Sequence, residues 1–479
     1  MENGYNTDYT PYKGLPMTAG FCTFEEATRP GLSVDECVRR LKRYHYAFKR
    51  LHEILIKRLT AEPVYEIKMA FSLHAYICAE HVATLRTRVG EMRQPPLGLE
   101  EIPDAALQLF FDEILAAPTA VELVQGIYGK AIPALTAGIR RHLADTNHLA
   151  DAPTVRFCRL ALVELEDMNR YGEQAVAALI DDTAAQEMAG WTALIDDCLA
   201  AAGGLDGAAE PVRVSLTRRF SATPYVYDRV PRRDARFTDN YNRGVNAEAF
   251  VNDESLPAQP KVLMLYFKRL REIDVPEMMA SIIAETEGKP WQYYLDMTRQ
   301  LWDEARHALM GEVGFVVMGL DWPQLVRPDF TWSLGLNTKL TPKERHAVLW
   351  FIEQGLMPRT GKRYEWEVAQ EAGNALSMTF QDYDWADEVL HARIGRDWFV
   401  AEMPSQQDAL TYGDRSYSRA VSDWASWKAQ GLTEHANWWP DLYRAACARW
   451  GVDPDSKVLA FDTSYAEVRS DLKSFHTVS

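Results

Sequence analysis

Two nine-residue stretches of this chain repeat each other. Residues 303–311 run Asp303-Glu304-Ala305-Arg306-His307-Ala308-Leu309-Met310-Gly311, and residues 387–395 run Asp387-Glu388-Val389-Leu390-His391-Ala392-Arg393-Ile394-Gly395. Each holds a Glu-x-x-His pair, Glu304 with His307 and Glu388 with His391, and the chain has no other such pair. On a helix, residues three apart share a face, so each pair turns a carboxylate and an imidazole toward one point. Two such pairs, with one further Glu from each of two neighbouring helices, can hold two iron or manganese ions inside a four-helix bundle. One pair alone is a weak signal. Here the preceding Asp and the following Ala and Gly recur as well, which a merely solvated helix face does not require.

The two remaining carboxylates must come from the helices that pair with the motif helices. Gly288-Lys289-Pro290 reads as a helix end followed by a new helix with Pro in its first turn. Glu304 and His307 lie 14 and 17 residues past Pro290, so an antiparallel partner should lie a similar distance before it. Glu272, 18 residues before, fits best, and Glu277, 13 before, is the runner-up. Glu277 also reads as part of a helix start at Asp274-Val275-Pro276-Glu277. Pro276 either kinks one long helix carrying Glu272 or begins a new one. In the second half, Thr341-Pro342-Lys343-Glu344 opens a helix over 341–356, and a long helical stretch from about Glu365 leads into Glu388. Glu353 precedes Glu388 by 35 residues, much as Glu272 precedes Glu304 by 32. Near-equal spacing is what two facing hairpins require.

With these residues placed, the 259–399 segment resembles the ferritin-like di-iron carboxylate superfamily. Asp303-Glu304-Ala305-Arg306-His307 is similar to the Asp/Glu-Glu-x-Arg-His signature of several of its members. The nearest resemblance is to the ferritin-like domain-of-unknown-function family 455. That family shares the Asp-Glu-Ala-Arg-His run and a later Glu-x-x-His-Val-Ala-Ile-Gly-x-x-Trp-Phe run, which reads Glu388-Val389-Leu390-His391-Ala392-Arg393-Ile394-Gly395-Arg396-Asp397-Trp398-Phe399 in this chain. The chain departs from it at Pro276 and at Leu390-His391-Ala392, where the family has Gly-His-Val, and neither departure removes a ligand. The resemblance implies that Glu272, Glu304 and His307 serve one metal and that Glu353, Glu388 and His391 serve the other. Glu304 and Glu388 would bridge. Four carboxylates balance two divalent ions, and this donor set suits iron, manganese or a mixed pair. Asp303 and Asp387 are candidates to hydrogen-bond the imidazoles and fix their tautomer.

The elements around the motifs read as all-α: a ferritin-like four-helix bundle joined to a second, N-terminal helical bundle. Residues 1–32 read as irregular. Apolar residues recur every three or four positions near 34–60, 65–92, 104–145, 153–182 and 185–202, so 33–205 reads as a bundle without metal. His74, His81, Glu66, Glu164 and Glu166 lie there, but no Glu-x-x-His does. Residues 206–258 read as an irregular linker or active-site cover, and Ser215-Leu216-Thr217-Arg218-Arg219-Phe220 as a short strand. The di-metal domain spans 259–399, and 400–479 reads as a Trp-rich helical tail.

Composition narrows the function. A net charge of −16 argues against a nucleic-acid partner. No run of about 20 apolar residues suggests a membrane span. The start Met1-Glu2-Asn3-Gly4 does not read as a signal segment, and six scattered Cys without a Cys-x-x-Cys suit reduced thiols, so a cytoplasmic location is expected. Dinucleotide, phosphate-loop, serine-hydrolase and zinc-protease motifs are lacking. The expected function is a non-haem di-iron oxidase or oxygenase. It would use dioxygen on a small organic substrate, with an external electron donor or electrons from the substrate. Glu304 and Glu388 would sit nearest the chemistry. The alternative is a non-enzymatic ferritin-like metal-binding or scaffold protein. A homodimer is compatible with either.

Overall fold

Capping residues set where the helices of the computed structural model begin and end. It describes residues 9–358 and 361–465. Parts of the expected irregular N-terminus and helical tail, and the break at Arg359-Thr360, lie outside the described residues. The chain is all-α, with no strand among the described residues. It divides into two units. One comprises residues 1–54 and 77–225, the other residues 55–76 and 226–479.

The first unit is built from long amphipathic helices. The expected helical run over 104–145 is broken into Ala105–Leu115, Ala120–Val124, a π-helical turn at Gln125–Ala131 and Ile132–Asp145. Asp104 and Thr119 accept from backbone N–H groups and so start the first two of these. The helix Asp182–Ala201 ends where expected, and Arg43 donates to the carbonyls of Ala202, Gly204 and Leu205 beyond it. The strand expected at 215–220 is not formed. The buried Glu113 carboxylate accepts from the backbone N–H groups of Arg219, Phe220 and Ser221, which satisfies donors that a strand would otherwise pair. The linker is also not irregular throughout, since Ala247–Asn252 is a helix capped by Asn246.

In the second unit, Ala258–Leu270 runs through a 3-10 turn, Arg271–Ile273, into Asp274–Glu285. Pro276 lies in the first turn of the latter helix, where its missing N–H goes unneeded. Trp291–Val317 and Ala375–Trp398 are the two motif helices. Pro342–Gly355 starts with the expected capping box between Thr341 and Glu344. The long stretch from Glu365 to Glu388 is two helices, Lys362–Glu371 and Ala375–Trp398. Gly373, at φ +66°, ends the first, and the Asn374 side chain caps the second by accepting from Ser377 N.

The repeated glycines are explained by packing. A Cβ on Gly311 would lie 2.2 Å from Leu270 N and 2.5 Å from Tyr266 O, on the helix that precedes Glu272. A Cβ on Gly395 would lie 2.3 Å from Trp350 Cδ1, on the helix that carries Glu353. Each motif helix therefore uses its glycine to approach its own hairpin partner. Gly311→Ala should destabilise the fold by about 1–3 kcal/mol, because the obstructing atoms are backbone and cannot rotate away. A urea unfolding curve with an unshifted midpoint would contradict this.

Candidate metal centre

Four helical segments bring their acids together inside the second unit. Glu272 comes from the 3-10 turn. Asp303, Glu304 and His307 come from the first motif helix, Glu353 from the last turn of Pro342–Gly355, and Asp384, Asp387, Glu388 and His391 from the second motif helix. All six expected ligands fall into two neighbouring groups whose donor atoms lie within 4.8 Å of one another. One group is Glu272, His307, Asp384 and Glu388, and the other is Glu304, Glu353, Glu388 and His391. The expected partition is thus altered. Glu304 groups with Glu353 and His391, and Glu388 alone belongs to both groups. Glu304 still faces both imidazoles, with Oε1 3.1 Å from His391 Nδ1 and Oε2 3.6 Å from His307 Nδ1.

The two aspartates of the repeat cross over. His307 Nε2 donates to Asp387 Oδ2 at 3.0 Å, and His391 Nε2 donates to Asp303 Oδ2 at 3.4 Å. Each motif's Asp therefore holds the other motif's His. Arg306 ties the pair together, donating to Asp303 at 2.7 Å and to Asp387 at 2.6 Å. With Nε2–H committed outward, each Nδ1 points at the carboxylates. His307 Nδ1 lies 3.4 Å from Glu272 Oε2 and from Asp384 Oδ1, and His391 Nδ1 lies 3.6 Å from Glu388 Oε2.

Several of these atoms are buried and make no hydrogen bond: Nδ1 of both histidines, Glu272 Oε2, Glu304 Oε1, Asp384 Oδ2 and Glu388 Oε2. Convergent unpaired donors of this kind fit a metal ion. The electrostatics agree with a centre built for positive charge. Burial opposes ionisation of His307, yet Asp387, Glu272 and Glu304 outweigh it and raise its pKa to about 10. His391 is raised for the same reason, by Asp303, Glu304 and Glu388 against burial. Burial, reinforced by the charges of Glu388 and Glu304, pushes Glu353 well above the usual carboxyl range.

Sequence reasoning missed three members of the centre. Asp384 sits one turn before Glu388 on the same face, a spacing visible in the sequence but shared by many exposed acids. Lys362 and Arg269 are buried cations whose partners are distant in sequence. Lys362 Nζ lies 2.9 Å from Asp384 Oδ1, 2.9 Å from Glu388 Oε1 and 3.6 Å from Glu272 Oε1. Arg269 pairs with Glu272 at 3.0 Å and with Asp384. The centre therefore holds five carboxylates and two protein cations, not four carboxylates alone.

The runner-up Glu277 is elsewhere. It is fully buried and pairs with Lys68 and Arg233, and it accepts from Ser333 Oγ at 2.9 Å. Helical phase turns it away from Glu272, because five residues advance the helix by well over a full turn. Among the aromatics near the motifs, Tyr293 is buried against Tyr294 and Trp398, whereas Tyr383 is exposed.

Among the described residues, the first unit holds one further cluster, Cys37, His142 and Asp151. Cys37 Sγ donates to Asp151 Oδ2 at 3.3 Å, and Arg88 takes the other carboxylate oxygen at 2.9 Å. Burial, reinforced by Asp151, pushes the Cys37 thiol up to about 12. This is a hydrogen-bonded core group rather than a thiolate site. His81 is paired with Glu164 at 2.8 Å. All six cysteines are free and buried. No helix among the described residues is long and apolar enough to cross a membrane.

No family model matches this chain, and neither the curated proteins nor the solved structures searched contain a match.

Proposed function

We propose that this chain is a non-haem oxidase or oxygenase of the ferritin-like type, with iron or manganese held by residues of these ligand groups. One observation carries the reading. Two imidazole Nδ1 atoms converge with Glu272 Oε2, Glu304 Oε1 and Glu388 Oε2 at 3.1–3.6 Å without a hydrogen bond, while the far side of each imidazole is held by the other motif's Asp. The donor types suit iron and manganese. When bound, such an ion supplies dioxygen activation, which protein side chains alone do not provide.

The chain's own residues set the conditions. Asp303 and Asp387 orient the imidazoles. Glu304, His307, Glu388 and His391 are each at most 2% exposed, which keeps bulk water from the ligands. A cavity of about 140 Å³ is lined by Glu304, Glu353 and Glu388 and also by Trp332, Ile352 and Leu356. Most of its other lining residues are charged, so the apolar side chains give a small organic substrate one face to rest on next to the ion. Electrons would come from an external donor or from the substrate itself.

A second reading, a metal-free helical scaffold, draws on Lys362 and Arg269, which already pair with three of the five acids. Dioxygen uptake separates the two readings. Protein loaded anaerobically with ferrous iron should consume dioxygen faster than the same iron in buffer, and a His307→Ala, His391→Ala variant should not. Equal rates for the two proteins would sink the oxidase reading.

A further inference from the structure

The two ligand groups differ in what already fills them. In the group of Glu272, His307, Asp384 and Glu388, protein cations hold one oxygen of every carboxylate. Asp384 Oδ1 accepts from Lys362 and faces Arg269, Glu388 Oε1 lies 2.9 Å from Lys362 Nζ, and Glu272 Oε1 pairs with Arg269. Glu272 Oε2 and Asp384 Oδ2 stay unpaired, but an ion reaching them would sit beside the two protein cations, which repel it. In the group of Glu304, Glu353, Glu388 and His391, no Lys or Arg among the described residues pairs with the oxygens that face His391. Glu304 Oε1, Glu388 Oε2 and His391 Nδ1 are all buried without a hydrogen bond. Glu353 is held from behind by Gln300 Nε2 at 3.1 Å.

Lys362 is poorly placed to move aside. Its side chain is 1% exposed and its three ion-pair partners all belong to the occupied group. The adjacent acid, Glu365, is already paired with Lys268 at 2.5 Å and Arg269 at 3.5 Å. Withdrawing Lys362 would leave a buried ammonium without its partners, which is costly.

We infer that the centre is asymmetric: Glu304, Glu353, Glu388 and His391 form one high-affinity ion position, and the Lys362 ammonium fills the other, competing with a second ion. This rests on the metal reading above. It adds that the working centre pairs one divalent ion with a built-in positive charge.

Manganese(II) is the probe, added to chelator-treated full-length protein and followed by calorimetry and electron paramagnetic resonance. Wild type should take up one ion tightly and give the six-line spectrum of an isolated ion. Glu353→Gln should abolish that uptake, whereas Asp384→Asn should retain it. Lys362→Met should bind a second ion at least ten-fold more tightly than wild type and give an exchange-coupled spectrum. Lys362→Gln, which keeps a hydrogen-bond donor, serves if the Met variant does not fold. Two equally tight, coupled ions in wild type would overturn the inference and leave the metal reading standing. One ion in wild type with no gain in either folded Lys362 variant would overturn the role of Lys362. No uptake by wild type would overturn both.

Discussion

Replacing Glu388 by Gln should weaken manganese(II) binding by more than about 100-fold, beyond the ~10–100-fold cost of losing an outer-shell partner. Glu388 is the one residue common to both ligand groups. Its Oε1 forms an ion pair with Lys362 at 2.9 Å and its Oε2 faces His391 Nδ1 at 3.6 Å. Gln preserves the shape but removes the charge and one of the two oxygens. The fold should survive, because Lys362 keeps Asp384 at 2.9 Å and Glu272 at 3.6 Å. The check is a calorimetric titration beside a circular dichroism spectrum. Wild-type affinity in a fully helical variant would remove Glu388 from the ligand set.

The second large effect concerns Glu277. Its carboxylate is fully buried and accepts from Arg233 Nη2 at 3.0 Å, Arg233 Nε at 3.2 Å, Ser333 Oγ at 2.9 Å and Lys68. Arg233 and Lys68 are themselves at most 1% exposed. Glu277→Ala leaves two buried cations short of a partner, and breaking such a pair costs about 3–5 kcal/mol. That is a large share of the ~5–15 kcal/mol by which domains are stable. Urea unfolding should show it directly, with Glu277→Gln losing less.

The same group sets a pH dependence. Burial opposes the charge on Glu277, but Arg233 and Lys68 outweigh it and hold its pKa at about 2, below the ordinary value of 4.5. A carboxyl depressed in the folded state contributes stability that is fully present above 4.5 and is lost as pH falls toward 2. Wild type should therefore lose urea resistance between those values. Glu277→Ala should lose less over the same range, and parallel curves would contradict the assignment.

How much of this was readable from sequence depends on the range of each interaction. Glu304, His307, Glu388 and His391 were legible because a helix places residues three apart on one face. Glu353 was legible because a capped helix start at Thr341 fixed its register. Glu272 was found by counting along a hairpin, although it sits in a 3-10 turn. The same counting kept Glu277 as a rival, since nothing local shows that Arg233 and Lys68 claim it. The crossed pairs Asp387–His307 and Asp303–His391 span 80 and 88 residues, so only the presence of an Asp beside each Glu was visible. The recurrence of Gly311 and Gly395 was visible, but the helix contacts that require them were not. Lys362 and Arg269 gave no local signal, because their meaning lies in acids brought to them by folding. The break at Gly373-Asn374 did have a signal, a glycine followed by a capping residue, inside a run of strong helix formers.

The most direct test of the metal-binding claim is metal content per chain, measured by elemental analysis after anaerobic iron loading and desalting. Wild type should be compared with the His307→Ala, His391→Ala variant. At least one tightly held ion per chain is expected in wild type and none in the variant. A wild type that retains no ion, with the variant equally well folded, would contradict the metal-binding claim and leave the centre as a buried ion-pair core.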